Sequence, residues 1–219
     1  EGGWEMLRWG YEKCRKNVLA LKPDVLIVHS PHWMTTVGHH FLGVPHFKGL
    51  SVDPIFPNLF RYNYEIDVDV DLAESIHAEA SALGLTSKMM RNPNFRVDYG
   101  TITSCHLMNP DWNIPIIGIS SNNSPYYFSN EMGQEQMLIL GEATRKAVEK
   151  SGKRAVLLAS NSLSHRHFTT EPEIPEDMSK EHVYSHGQYL WDMEMIKLMR
   201  SGKSRQLIDC LPEFMDHTV

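Results

Sequence analysis

The chain has 219 residues, a formal net charge of −6 and 42% hydrophobic residues, including five Trp, eight Phe and eight Tyr. That is enough apolar material for a sizeable core. The acidic balance without any Lys/Arg cluster argues against a nucleic-acid partner, and runs such as Val25-Leu26-Ile27-Val28 are too short to cross a bilayer. Three widely spaced cysteines, Cys14, Cys105 and Cys210, point to reduced thiols in a cytoplasmic protein, used as small buried hydrophobes.

The chain opens at Glu1, without a secretory pattern, directly in a helical one. Trp4, Leu7, Tyr11, Cys14, Val18 and Leu21 recur at spacings of three and four, which predicts an amphipathic helix ended by Pro23. Asp24 to His29 reads as a fully buried strand. Residues 33 to 43 are ambiguous and are read as a short helix, followed by a long proline-containing loop through Pro57. Tyr62 to Val68 alternates as a strand. Asp71 is expected to cap a helix from about Leu72 to Leu83, closed by Gly84. A short strand at Lys88–Met90 leads to the loop Asp98-Tyr99-Gly100 and a helix to about Leu107. Ile114–Ile119 is a buried strand, 130–150 a long helix stopped by Gly152, and Arg154–Ser160 another buried strand. A polar loop bearing His165 and an acidic connector with Pro172 and Pro175 precede helices over 178–200 and 203–215. Helices alternating with short apolar strands predict an α/β fold: a single domain over 1–219, with a mostly parallel or mixed central sheet flanked by helices on both faces. The chain stops at Val219 after a short helix with no closing strand. It reads as a stretch of a longer polypeptide lacking its terminal segments.

Of the twelve histidines, His46, His77, His182, His186 and His217 read as surface residues, and the pair His39-His40 as partly structural. Two clusters differ, because ligands in open α/β sheets gather just outside strand ends. The first is His29-Ser30-Pro31-His32-Trp33, where imidazoles could meet a metal and Pro31 would stiffen the backbone presenting them. His29 could equally be a buried histidine satisfied by backbone. The second is Ala159 through His167, where small polar residues leave room for a ligand and His165 could exchange protons near neutral pH. The alternative there is a capping loop with an incidental histidine. No carboxylate among Glu65, Asp67 and Asp98 is singled out as a metal partner, and no H-E-x-x-H or Cys pair supplies a zinc site. Spacing alone reaches a possible metal pocket.

His29-Ser30-Pro31-His32-Trp33, Lys88 to Pro93, Phe95 to Thr101, Gly118 to Tyr127 and Ala159 to His165 together resemble the LigB-like extradiol ring-cleaving dioxygenases. The strand followed by S-x-L-S-H marks the wider class. Asp98-Tyr99-Gly100 and Asn122-Asn123-Ser124-Pro125-Tyr126-Tyr127 are similar to the branch of 2-aminophenol 1,6-dioxygenase β subunits. The likeness runs over nearly the whole chain. It implies an iron(II) enzyme that opens a small aromatic ring, an aminophenol, with O2, and that associates with a related α subunit in a hetero-oligomer.

In that family a histidine of an N-terminal loop, a second in an S-P-H segment and a glutamate near the C-terminal part hold the iron. His32 matches the second; the others are expected upstream of Glu1 and past Val219, so the stretch alone is expected to be inactive. His165 matches the acid–base histidine, and Tyr99 a tyrosine that hydrogen-bonds substrate or reacting oxygen. Catechol cleavage and a non-catalytic partner subunit are the competing readings.

Overall fold

The strand Val25–Thr35 (β1) carries the fold because its first four side chains are all apolar and all buried, Val25, Leu26, Ile27 and Val28 being at most 1% exposed. Successive strand side chains point to opposite faces, so these four serve two cores. Leu26 and Val28 face one, Val25 and Ile27 the other. The computed structural model describes residues 2–54, 57–58, 60–122, 129–164 and 186–218. These divide into two compact units, one running from Gly2 to Asn161 and the other beginning at Ser162.

In the larger unit the elements run α1 (Gly2–Ala20), β1, β2 (His39–Leu42), β3 (His46–Val52), β4 (Arg61–Asp67), α2 (Val70–Ala82), β5 (Ser87–Met90), α3 (Tyr99–Met108), β6 (Ile116–Asn122), α4 (Asn130–Ser151) and β7 (Ala155–Ala159). Five strands form one sheet in the order β5-β2-β6-β1-β7. All neighbours are parallel except β2 and β6, so the sheet is mixed. On one face, Leu26 and Val28 pack with Ile102, Cys105 and Met108 of α3, Val18 of α1, and the β3–β4 hairpin. On the other, Val25 and Ile27 pack with Leu72, Ala73, Ile76 and Ala80 of α2 and Leu140, Ala143 and Ala147 of α4. The expected α/β architecture, a central sheet with helices on both faces, is what the chain forms, and β6, β1 and β7 lie side by side as their apolar runs imply.

Two expectations about the strands are corrected. Residues 33–43 form no helix: β1 continues to Thr35, and after a turn at Gly38 the chain pairs again as β2. Trp33, Val37 and Phe41 stand four apart and imitate a helical stripe, but Gly38 has φ +69°, with Thr86 so close that no side chain fits. Thr35 Oγ1 locks the turn by donating to the Gly38 carbonyl at 2.6 Å. The expected loop before Pro57 contains β3, which pairs antiparallel with β4 from His46↔Asp67 to Val52↔Arg61.

Helix ends follow their caps. Asp69, not Asp71, caps α2, its side chain accepting from the Leu72 N–H. Asp98 caps α3, Ser129 caps α4, and Gly152 stops α4. Among the described side chains of the α1 stripe Val18 is buried while Leu7, Tyr11 and Cys14 are exposed, so Cys14 is not the buried hydrophobe expected of it, whereas Cys105 is.

The smaller unit contains α5 (His186–Arg200), α6 (Ser204–Asp209) and α7 (Leu211–Thr218). The expected last helix therefore divides at Cys210, where Pro212 enters the first turn of α7 without an N–H to lose. Met195, Leu198 and Phe214 form its core with Leu163 and Trp191 packed against them. Ser164 is fastened to α5 by two bonds to Asp192, from its N–H at 2.9 Å and its Oγ at 2.6 Å. His165 to Ser185, with the acidic connector, lie outside the described residues. No described helix is long and apolar enough to cross a membrane.

Candidate active site

β1 changes character at Ser30. Up to His29 it is paired on both sides, with β7 ending at His29↔Ala159 and the Ser160 N–H donating to the His29 carbonyl at 3.0 Å. Beyond Ser30↔Ser120 the register with β6 slips, and pairing resumes only at Met34↔Ser121. Pro31, His32 and Trp33 occupy that irregularity. A proline has no N–H for a ladder, and bulges re-aim side chains. Trp33 turns into the core at 6% exposure, while His32 is exposed.

The start of α3 lies against this bulge. Asp98 Oδ2 accepts from the Thr101 N–H at 3.0 Å, the usual service of an N-cap, and also from Ser30 Oγ at 2.6 Å. Ser30 Oγ in turn accepts from the His32 N–H at 3.3 Å. Asp98 Oδ1 is buried without a partner among the described residues. The His32 and Tyr99 rings lie 4.3 Å apart, inclined at 47°. Gly100 permits this approach: a Cβ there would stand 2.5 Å from His32 Nδ1 and 2.6 Å from Ser30 Oγ. Ser160 Oγ donates to the Gly100 carbonyl at 3.3 Å, bringing the loop after β7 to the same place. Burial above all, then the charges of Asp53 and Asp98, raises the Tyr99 phenol above its usual pKa. It is a neutral hydrogen-bond donor at physiological pH.

Two further histidines sit nearby in the sheet. His39 is 2% exposed; its Nδ1 lies 3.0 Å from the Ser120 carbonyl, so that nitrogen carries the proton, leaving Nε2 buried and without a partner among the described residues. His29 Nε2 is 3.3 Å from Ser121 Oγ. Burial, helped by His39, pushes the His29 pKa down to about 4. Both imidazoles are therefore neutral at physiological pH, and His39 is structural, as expected.

Of the anticipated site residues, His32 and Tyr99 are brought together and His165 lies outside the described residues. With Nδ1 packed over Gly100, His32 has Nε2 left to coordinate, so it fits a single metal donor. Among the described residues no group of three His, Cys, Asp or Glu could hold an ion. Ser30 and Ser160 fell inside the two candidate clusters, and Asp98 and Gly100 inside a motif of the resemblance, but none of the four was given a role, and nothing in the spacing joins Ser30 to Asp98. His106 was also passed over; its Nδ1 is 2.6 Å from Tyr62 Oη, beside Trp112.

A mixed sheet thus lifts one imidazole out of a strand-end bulge, against a tyrosine at a helix start. The chain belongs to the family described as the catalytic LigB subunit of aromatic ring-opening dioxygenase, whose model matches residues 1–218. It is similar to the 2-aminophenol 1,6-dioxygenase beta subunit of Pseudomonas sp, with 60% identity over 98% of this chain and 70% of that protein. The 3,4-dihydroxyphenylacetate 2,3-dioxygenase of Escherichia coli is 28% identical over 95% of this chain and 72% of its own length. The 2-aminophenol 1,6-dioxygenase alpha subunit of Pseudomonas sp is 24% identical over 96% and 74%. Among solved structures, the uncharacterized protein JW3007 from Escherichia coli K12 superposes with a TM-score of 0.51 at 19% identity, over 85% of this chain and 64% of that one. It bears on the fold alone.

Proposed function

We propose that this chain is the iron(II)-binding, catalytic part of a β-type subunit that opens the ring of 2-aminophenol-type substrates with O2. The observation that carries the reading is the convergence of His32 and Tyr99 at 4.3 Å, in a chain 60% identical to a 2-aminophenol 1,6-dioxygenase beta subunit. His32 would contribute one iron donor through Nε2, the other two coming from residues that the family resemblance sets beyond Glu1 and Val219. Bound iron would supply the electron relay between ring and dioxygen that no side chain provides. Tyr99 donates its phenolic proton in a hydrogen bond to bound substrate, and His165 takes the substrate proton and returns it during ring opening.

The family match running through both compact units supports reading the chain as one LigB-type domain. A related α subunit is the natural partner, because relatives exist as alpha and beta subunits. Exposed Met6, Trp9, Leu190 and Met193 offer apolar surface of the kind interfaces cover. Free Cys14, Cys105 and Cys210 support a reducing, cytoplasmic setting.

Catechol cleavage is the second reading, favoured by the similarity to 3,4-dihydroxyphenylacetate 2,3-dioxygenase. O2 uptake by the full-length protein with its partner, with and without added iron(II), tests both. Iron-dependent uptake preferring 2-aminophenol over catechol is expected. The reverse preference establishes the second reading, and no uptake with either makes the chain a non-catalytic subunit.

A further inference from the structure

Asp98 caps α3, which a single hydrogen bond to Thr101 would accomplish. Its Oδ2 does more, because Ser30 Oγ, 68 residues away in sequence, donates to it at 2.6 Å. That hydroxyl is spoken for on both sides: it gives its proton to Asp98 and accepts from the His32 N–H. Ser30 is fully buried, so water does not compete for the link, and a hydrogen bond to a carboxylate is the stronger sort. One carboxylate thus joins the bulge that displays His32 to the helix start that displays Tyr99.

The joint is also sterically closed. Gly100 lies beneath both partners, and any Cβ would come 2.5 Å from His32 Nδ1, 2.6 Å from Ser30 Oγ and 3.2 Å from Asp98 Oδ2. Glycine is needed here for space, since its backbone is not among the left-handed positions. A ring packed over a bare Cα has one face and one nitrogen fixed, which leaves Nε2 aimed outward.

We infer that Ser30, Asp98 and Gly100 form a positioning unit that sets the direction of the His32 imidazole and its distance from Tyr99, making Asp98 a positioning residue as well as a helix cap. This rests on the reading of His32 as a metal donor. Groups that orient a ligating histidine are typically worth about 10–100-fold in metal affinity. The three residues should therefore act on metal binding in excess of any effect on folding.

The test uses the full-length protein with its partner, titrated anaerobically with cobalt(II), whose ligand-field absorption reports the arrangement of donors. Melting temperatures are recorded on the same preparations. His32→Ala sets the scale for a lost donor. Ser30→Ala keeps the Asp98 cap and should still weaken cobalt(II) binding about 10-fold or more with an altered spectrum. Gly100→Ala should weaken it further, and Asp98→Ala should lose both affinity and thermal stability. Asp98→Asn keeps the shape and one acceptor oxygen, enough for the two bonds that Oδ2 accepts, and should recover most of what alanine loses. Wild-type affinity and spectrum in Ser30→Ala would overturn the inference, leaving Asp98 a plain cap; that variant decides the matter if Gly100→Ala fails to fold. Failure of Asn to improve on Ala would overturn it too. If His32→Ala itself keeps the metal, the functional reading falls first, an outcome distinct from the other two.

Discussion

The two halves of β1 are built for opposite purposes. From Leu26 to His29 the strand is paired on both sides, and Val25 to Val28 are buried on its two faces. From Ser30 to Thr35 it has lost β7, its register with β6 has slipped, and it displays an exposed histidine beside a proline. A side chain cannot reach solvent from a strand covered on both faces; a bulge at its end gives access while the buried half holds it still. Rigidity and exposure are obtained from consecutive residues.

The sharpest break of this contrast is His32→Ala in the full-length protein. Iron content and turnover should vanish together while the melting temperature of the metal-free protein stays put, because the side chain is exposed. A full complement of iron in the variant removes His32 from the metal site. His165→Ala asks how far the chemical half extends into the loop after β7. It should keep iron and substrate affinity yet turn over about 10²–10⁴-fold more slowly, the usual worth of acid–base help. Loss of iron along with turnover would make His165 a ligand instead.

Ile27→Ala addresses the other half. Ile27 is 1% exposed between α2 and α4, so its truncation should cost about 2–5 kcal/mol in denaturant unfolding. Protein that remains folded should keep its kcat; a matching loss of kcat would blur the division of labour. The smallest effect is one of pH. His29, with its pKa held at about 4 against an ordinary 6.5, stays neutral in the folded chain while the unfolded chain takes up a proton below pH 6.5. Stability should therefore fall as pH drops from 6.5 toward 4, by at most about 1.4 kcal/mol per unit from this residue. His29→Asn should flatten that part of the curve, and an unchanged slope would assign the acid sensitivity elsewhere.

Apolar run length found β1, β6 and β7, and glycines found the ends of α2 and α4, because both signals are local; the cap expected at Asp71 lies at Asp69 instead. β3 escaped because its stability lies in pairing with β4; Lys48, Gly49 and Ser51 give it little apolar alternation. β2 escaped because four-residue spacing of Trp33, Val37 and Phe41 is compatible with a helix until Gly38 is known to turn left-handed. The stripe on α1 was read correctly as helical, but Cys14 on it was wrongly expected to be buried, since periodicity says which face is apolar and not what covers it. At the site, His32 and Tyr99 were named by resemblance to a family. The bond from Ser30 to Asp98 spans 68 positions and has no expression in spacing.

Cys105 lies on α3, below the turn that carries Tyr99, and it is buried. Burial, with the Asp98 charge adding to it, pushes its thiol pKa up to about 12. At pH 7 the thiolate, the form that reactive oxygen species attack, is strongly disfavoured. A subunit performing the proposed reaction would meet oxidants derived from dioxygen, and Cys105 lies on the same helix as Tyr99, about two turns further along. Here the packing that joins α3 to the sheet also keeps that sulfur in its inert form, so oxidation should reach exposed Cys14 before it reaches Cys105.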